Sequence, residues 1–401
     1  MLELAEAQQR ILAAVRPLPT EAVCLGEAFG RIVNENLLSP IDLPSFDNSA
    51  MDGYAVRSAD LALAQATNPV ALRLIGKIPA GEIFQTEIKP GECARIFTGS
   101  PLPPGADSVA MQEDTAPAPE KPDHILFLDA TKPWENIRFR GEDVKAGTTL
   151  ATRGTRLGAG HLSLIGATGM ETVGVGRQPV VGILATGSEL RPAGHALAPG
   201  EIYESNRVAL AALTRRAGAV PRVFPLVADS LSETTAALRR AFSECDVVVT
   251  TGGVSVGELD FVKTAFQELG GALDFWKVSI KPGKPFAFGT LGGKFLFGLP
   301  GNPVSSFVTF ILLAAPALAK MQGASELSWP SHIGVLAQSL ENPGDRRHFV
   351  RVLVDANGNV RSAGTQASHI LSALAVANGL VEIAPKTALE RGTTVSVLRF
   401  D

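Results

Sequence analysis

Three carboxylates and three ammonium groups stand beside glycine-rich turns in the second half of this chain. Glu189 follows Thr186-Gly187-Ser188, Asp229 precedes Ser230, and Asp260 ends the stretch VVVTTGGVSVGELD, which opens at Val247 and also carries Glu258. Lys277, Lys281 and Lys284 come from the segment WKVSIKPGKP. Oxygen-rich acids suit a hard cation such as Mg²⁺, which is usually held by one or two carboxylates together with substrate phosphates. Lysines, and backbone N–H groups freed by glycine, suit phosphate or another oxyanion, above all where a helix begins. Glu189, Asp229 and Asp260 are therefore the candidate metal ligands, and the whole set favours a phosphorylated, metal-assisted ligand.

Each of these groups also has a plainer use. Gly252-Gly253 serves as an ordinary turn after a strand. Asp260 equally serves as the N-cap of the helix it opens, and Asp229 as the cap of a helix beginning at Ser232. KPGKP lacks the GxxxxGK[ST] pattern of a phosphate loop and opens no helix, so by itself it is a solvated turn. What favours a site is that the elements carrying these groups bring them to one rim.

Those elements are regular from Gln178 onward. QPVVGILAT reads as a strand, 206–217 as a helix, VPRVFPLVA as a strand, 232–242 as a helix, VVVTT as a strand and 260–269 as a helix. A hairpin-like PFAFGTLGGKFLFG and a long apolar helix over 303–320 follow. Strands alternating with helices predict a parallel sheet with right-handed crossovers. In open parallel sheets ligands bind beyond the carboxyl ends of the strands. Thr186 to Glu189, Asp229-Ser230, Thr251-Gly252-Gly253 and Leu299-Pro300-Gly301-Asn302-Pro303 all fall at such ends.

The flanks differ in texture. Residues 3–16 read as a helix, with a second short one over 25–35. Over 53–140, short runs such as ALRLIGKI, CARIFTG, DSVAMQE and HILFL are separated by Pro and Gly clusters, the pattern of a β-rich domain. The mixed segment 141–177 makes that domain an insertion into a helical linking domain built from 1–52 plus 141–177. The α/β domain then spans 178–325. A small β-domain spans 330–401, with the runs FVRVLV and TTVSVLRF and an Asn357-Gly358 turn signal. The predicted class is thus multidomain α/β plus β, with an inserted β-rich domain and a C-terminal barrel-like β-domain.

The chain has 401 residues, 45% hydrophobic and 19% charged, with 36 Lys plus Arg against 40 Asp plus Glu. A net charge of −4 without a basic stripe argues against nucleic acid. Cys24, Cys93 and Cys245 are odd in number and lack a CxxC, which points to a reducing compartment without a disulfide frame or zinc site. The most apolar stretch, Phe307 to Ala319, is shorter than the ~20 residues that span a bilayer and reads as a core helix. The N-terminus carries acids where a signal peptide carries bases, so the expected location is the cytoplasm and no membrane is involved.

Taken in order, NSAMDGYAVR, IFTGSPLPPGAD, RGEDVKAG, ILATGSEL, TTGGVSVGELD, KPGKPFAFG, GLPGNPVSSFV and SHILSALAVANGL cover nearly the whole chain. This set resembles the MoeA family of molybdopterin molybdenumtransferases, to which the E domains of gephyrin and of its plant counterpart are related. The resemblance implies an elongated homodimer with four domains per subunit, and a MogA-like fold for 178–325. It implies the last step of molybdenum cofactor assembly, in which adenylylated molybdopterin receives molybdate on its dithiolene sulfurs and AMP is released with Mg²⁺ assistance.

Carried over by position, the resemblance gives Asp229, Asp260 and Glu189 roles in handling Mg²⁺ and pyrophosphate, and Lys277 and Lys281 contacts to the pterin phosphate. Lys284, Gly252, Gly253 and Ser255 belong with the substrate contacts, and Pro300, Gly301 and Pro303 shape the loop beside them. Arg351 and Ser368 match groups that hold the substrate or incoming molybdate. Asp52, Thr98 and Asp143 match positions that reach the cleft from the second subunit. Ser188 departs from the Asp or Asn usual in the TGxEL motif. Two alternatives share parts of this pattern: a MogA-like molybdopterin adenylyltransferase, which could equally be a partner enzyme, and a non-catalytic scaffold of the gephyrin type. A dinucleotide-dependent oxidoreductase is disfavoured because no GxGxxG follows the strand at Val180.

Overall fold

A computed structural model describes residues 1–253 and 261–401 of the chain. Ser255, Glu258 and Asp260 lie outside the described residues. The chain forms two compact units, one of Met1–Glu35, Thr152–Gly158 and Thr172–Asp401, the other of Asn36–Ala151 and Ala159–Glu171.

The centre of the first unit is a six-stranded sheet in the order Val220–Val223, Val180–Ala185, Val247–Thr251, Lys294–Leu299, Ala287–Leu291, Ala272–Trp276. The first four strands are parallel, and the last two are added antiparallel. Its central strands Val180–Ala185, Val247–Thr251 and Lys294–Leu299 are mostly apolar and buried because both faces are covered, while the edge strand Val220–Val223 is largely exposed. Val181, Ile183, Val247 and Val249 enter one core with Phe295, Phe297 and the helices Asn206–Arg216 and 303–321. Leu184, Val248 and Leu296 point the other way, onto the helices Leu231–Glu244 and Val262–Glu268. The period-2 alternation of a strand thus feeds two cores, giving three layers.

The hairpin at the sheet's far side turns on Gly292-Gly293, whose φ values of 55° and 81° are the left-handed conformations a two-residue turn requires. Phe275, Phe286, Phe288, Phe295 and Phe297 make successive ring contacts beneath it, at centroid distances between 5.2 and 6.3 Å. Fully burying one such ring contributes about 1.5–3 kcal/mol, so this cluster anchors the antiparallel end.

The apolar helix 303–321 is long and apolar enough to cross a membrane, but 89% of its most apolar window is buried inside the structure, as a core helix requires. It widens to a π-helical turn at Phe310–Ala314 just before Pro316, which has no N–H to continue the ordinary ladder. The N-terminal helix Leu4–Ala14 places Leu4, Ala7 and Ile11 in the same core, at the i, i+3, i+7 spacing of one helix face.

The short helix expected over 25–35 is not formed. Leu25–Glu27 makes one 3-10 turn, Gly30 follows at φ 75°, and Ile32 and Val33 bridge Arg156 and Val175 as extended chain. The glycine stops the turn, and pairing with distant strands offers Ile32 and Val33 full burial, which a short surface helix does not.

At the C-terminal end, five strands run in the order Arg347–Val354, Asn359–Ser362, Ser331–Leu336, Thr394–Arg399, Gly379–Ile383. Pairing of Gly379–Ile383 back onto Arg347–Val354 closes them into a small barrel around Val350, Val352, Val360, Val381 and Val397. The turn at Asn357-Gly358 joins its first two strands, with Gly358 at φ 79°.

The second unit holds a six-stranded sheet, in the order Ser108–Met111, Gly53–Val56, Glu92–Ile96, Val70–Ile78, His124–Phe127, Thr115–Pro117. Cys93 and Cys245 are buried, and burial pushes their thiols up to about 12 and about 11, so neither is poised to react.

Candidate functional site

In the first unit the strand order reverses between Val180–Ala185 and Val247–Thr251, because the chain leaves the first of these for one side of the sheet and returns on the other. Loops separate at such a point and leave a crevice beyond the carboxyl ends. A cavity of about 710 Å³ opens there. Its walls include Thr186, Gly187 and Glu189, Asp229, Gly252 and Gly253, and Pro300 to Pro303.

The glycines are required by the close approach of these loops. Gly252 has φ 84°, and a Cβ there would lie 2.6 Å from the Thr186 carbonyl oxygen. At Gly253, with φ 66°, it would lie 2.7 Å from a Val262 methyl. A Cβ at Gly301 would lie 3.6 Å from the Gly252 Cα, in van der Waals contact. Asn206 ties the loops together: its side-chain amide donates to Thr251 Oγ1 (2.8 Å) and to the Gly301 carbonyl (2.7 Å), while Thr251 Oγ1 donates to the Pro300 carbonyl (3.0 Å). Pro303 opens the helix at its first turn, where a missing N–H costs nothing.

The acids are arranged by a second set of contacts. Ser230, and not Asp229, caps the helix Leu231–Glu244, accepting from the Glu233 N–H. That leaves the Asp229 carboxylate for the crevice. One of its oxygens accepts from the Ser188 N–H at 3.0 Å, and Ser188 Oγ in return accepts from the Asp229 N–H at 3.0 Å. The serine at this position of the TGxEL motif thus locks two loops together. Glu189 is exposed on the same wall, and neither acid forms an ion pair among the described residues.

Among the substrate contacts expected from the sequence, Gly252, Gly253, Pro300, Gly301 and Pro303 share the cavity with Glu189 and Asp229. Lys277, Lys281 and Lys284 are not among its lining residues, although Pro285 of the same segment is. Lys277 sits at φ 77° with its N–H on the Phe286 carbonyl, and Lys284 is exposed. Lys281 belongs to a two-residue strand that runs parallel to Arg347–Val354, opposite His348, so the lysine segment is stitched to the barrel.

Arg351 has a different environment from that of a surface ligand. It is 1% exposed, and its guanidinium donates to the carbonyls of Thr365 (2.8 Å), Ala367 (3.1 Å) and Ile370 (2.9 Å) and to Gln366 Oε1 (3.3 Å). The loop it holds carries Ser368, whose carbonyl accepts from the Val304 N–H at the start of the long helix, and His369, which lines the cavity. In this arrangement Arg351 acts on the cavity by positioning the 365–370 loop.

His348 is 5% exposed, and neither ring nitrogen has a hydrogen-bond partner. Burial, reinforced by the positive charges of Lys281, Arg351 and Arg346, pushes its pKa down to about 4. In the unfolded chain the ring takes its proton near pH 6.5. Between those values the unfolded state binds more protons, so stability falls as pH drops from about 6.5 to about 4. We expect His348→Leu to flatten that slope in denaturant midpoints measured from pH 7 to pH 4. An unchanged slope would mean that the imidazole is not held neutral.

In the second unit Asp52 accepts from both the N–H (2.8 Å) and the hydroxyl (2.9 Å) of Thr98. Those bonds, backbone first, hold its carboxyl below the ordinary value. Asp143 is exposed, with its N–H on the Leu43 carbonyl.

Thr186, placed on the rim by the sequence, lines the cavity, whereas Tyr203, Glu204, Asn206 and His369 escaped the sequence reading. Thr186 Oγ1 is buried without a hydrogen-bond partner among the described residues. Only Asn206 left a signal, as a side-chain amide at the first position of a helix that follows a switch-point strand.

A three-layer α/β domain with an acid-lined crevice at its switch point has its cavity where open α/β sheets bind their ligands. Its relatives narrow that class. Residues 2–169 match the MoeA N-terminal region (domain I and II), 182–320 a probable molybdopterin binding domain, and 334–400 the MoeA C-terminal region (domain IV). The chain is 39% identical to a molybdopterin molybdenumtransferase of Haemophilus influenzae, across 100% of this chain and 99% of that one. It is 38% identical to molybdopterin molybdenumtransferase 2 of Mycobacterium tuberculosis, across 98% of each. A crystal structure of the molybdopterin biosynthesis MoeA protein of Pyrococcus horikoshii superposes with a TM-score of 0.85 at 33% identity, over 100% of both chains. The chain belongs to the MoeA family.

Proposed function

We propose that this chain is a molybdopterin molybdenumtransferase, a transferase of molybdenum cofactor biosynthesis that inserts molybdate into adenylylated molybdopterin and releases AMP. The observation that supports this beyond kinship is the crevice in which Glu189 and Asp229 face the glycine turns at 252–253 and 300–301. Molybdate and a pyrophosphate-linked pterin repel one another, so the reaction needs fixed positive charge and oriented N–H groups. At the start of helix 303–321 the Val304 N–H is taken by the Ser368 carbonyl while Ser305 lines the crevice, and in this reading Lys277, Lys281 and Lys284 supply charge from its barrel side.

Two carboxylates that form no ion pair among the described residues, with the Thr186 hydroxyl, which has no partner among them, on the same wall, form an all-oxygen donor set that fits a hard cation. Glu189 and Asp229, with Asp260, would hold Mg²⁺, and the ion when bound supplies charge neutralisation at the leaving phosphate. Asp229 is kept in place for this by Ser188, and Gly252 and Gly253 let the phosphates approach the backbone. A homodimer, a cytoplasmic location, and supply of the adenylylated substrate by a MogA-like adenylyltransferase belong to the same reading.

The test is to incubate the purified chain with adenylylated molybdopterin, molybdate and Mg²⁺, and to follow AMP and pterin-bound molybdenum. Both are expected to appear together and to fail without Mg²⁺. AMP release that ignores molybdate would sink the assignment. Efficient adenylylation of molybdopterin from ATP would favour the adenylyltransferase alternative.

A further inference from the structure

Beside the segment that leads from the long helix into the barrel, the first unit holds a hollow of about 540 Å³ that shares no lining residue with the crevice. Sites for small molecules have volumes of about 300–1,000 Å³. Its floor is apolar, because Ile32, Ala217, Ala315 and Ala319 are all buried, and the three alanines leave room that larger side chains would fill. Its rim is charged: Arg156, Arg216 and Glu326 line it and remain exposed.

Several contacts fix that rim. Gly218 has φ 79°, and a Cβ there would lie 3.3 Å from Arg156 Nη1, so the missing side chain makes room for the guanidinium. The same Nη1 donates to the Gly30 carbonyl at 2.7 Å. The Arg216 guanidinium sits 4.8 Å from the centroid of the Trp329 ring, which packs against the main core. The wall carrying Trp329 is pinned at Ser325, whose N–H (3.1 Å) and hydroxyl (3.2 Å) both donate to the Gly154 carbonyl. Groups held in this way have little freedom left to lose when a ligand binds.

The charges do not cancel. Arg216 stands in the last turn of the helix Asn206–Arg216, where the helix dipole favours a cation. The dipole does not explain a second arginine, brought to the same hollow from a distant segment. Among the described residues neither Arg156, Arg216 nor Glu326 forms an ion pair. Asp401 feels the charge of Arg216, but its own carboxylate is paired with Arg399. Two cations against one acid leave a single positive charge above an apolar floor. A monoanion balances that charge, whereas a phosphate dianion exceeds it and is repelled by Glu326. Guanidinium forks match the two oxygens of a carboxylate. We propose that this hollow is a second binding site, for a small organic carboxylate with an apolar body. It is independent of the crevice and does not rest on the function assigned there.

The chain has three tryptophans, of which Trp329 lines the hollow and Trp134 and Trp276 line neither cavity, so the site can be observed by itself. The full chain labelled with 5-fluorotryptophan would be titrated with 3-phenylpropionate, 3-phenylpropanol, acetate and inorganic phosphate, its ¹⁹F lines being assigned with the three Trp→Phe variants. The Trp329 line is expected to shift saturably with 3-phenylpropionate and at least tenfold more weakly with each of the other probes, while the lines of Trp134 and Trp276 stay in place. Arg156→Gln and Arg216→Gln should each weaken the response about tenfold. Glu326→Gln should tighten it about two- to fivefold, since it removes a surface charge of the ligand's own sign. A gain of affinity is an effect that a damaged fold does not mimic. A Trp329 line that ignores 3-phenylpropionate, or that answers the alcohol, acetate or phosphate as strongly, overturns the proposal. So does an affinity that survives both arginine substitutions or falls in Glu326→Gln.

Discussion

Asp229→Asn is expected to lower the rate of AMP release by about 100- to 1,000-fold while the protein stays folded, the range typical for removing one preorganised electrostatic contact. The substitution is nearly isosteric and keeps a side-chain oxygen to accept from the Ser188 N–H, so the lock between the two loops survives. What disappears is the negative charge, and with it the donor for a divalent ion. Ser188→Ala separates the two roles. It removes only the hydroxyl that accepts from the Asp229 N–H, a single exposed neutral hydrogen bond worth about 0.5–1.5 kcal/mol. Its rate should therefore fall by no more than about tenfold. Steady-state AMP release at saturating Mg²⁺ and over a Mg²⁺ titration checks both. If Asp229→Asn turns over like the unmodified chain, Asp229 is not a metal or phosphate group.

Arg351→Ala is expected to cost about 3–5 kcal/mol of stability, the loss typical when a large buried side chain is truncated to alanine. It is the largest side chain among the fully buried ones, and its removal leaves the carbonyls of Thr365, Ala367 and Ile370 without their donor as well as a void. Burial lowers the Arg351 pKa, yet a guanidinium stays charged at any ordinary pH. Arg351→Lys should rescue little, because one ammonium cannot reproduce a planar fork that serves several acceptors. The discriminating measurement is the denaturant midpoint read beside the dependence of AMP release on molybdate. A positioning residue lowers the midpoint and loosens the 365–370 loop. A variant that folds with an unchanged midpoint and only a raised molybdate requirement would assign Arg351 to direct contact instead.

Arg351 also shows how a charge can serve a site without entering it. Lys281, Arg346 and Arg351 surround His348, and none of the three forms a strong ion pair there: Arg346 donates to the Ile280 carbonyl and lies 3.7 Å from the exposed Asp345, and Arg351 is bonded to backbone. The imidazole stays neutral among them at physiological pH, so three cations of this barrel end, Lys281, Arg346 and Arg351, stand beside the lysine segment. The field of such charges favours anions approaching the crevice without a side chain having to reach them.

Much of the α/β half was legible along the chain, because its signals are local. Continuous apolar runs such as Val247 to Val249 mark strands covered on both faces, and the glycine pairs at 252–253 and 292–293 mark turns that need left-handed φ values. The rule that sites lie at the carboxyl ends of parallel strands places Glu189, Asp229 and the 300–303 loop on one rim from the sequence alone. The 25–35 segment departs from its expected helix for the converse reason: its helical composition is a weak preference, and long-range pairing of Ile32 and Val33 with Arg156 and Val175 outweighs it.

The amino-acid sequence alone determined which segments are strands and helices in the α/β half, where its turns need glycine, and which acids stand at the strand ends. Only the tertiary structure decided that Ser230 takes the capping role and frees Asp229, that Ser188 across 41 positions answers it, and that Arg351 turns inward to the 365–370 loop. The same holds for the closing of the barrel and the docking of the lysine segment on its edge. Backbone conformation is set largely by neighbours within a few residues, so it is written locally. Which of several equivalent acceptors a donor meets, and whether a charge is buried, depends on packing between segments far apart in sequence, and no local pattern encodes that choice.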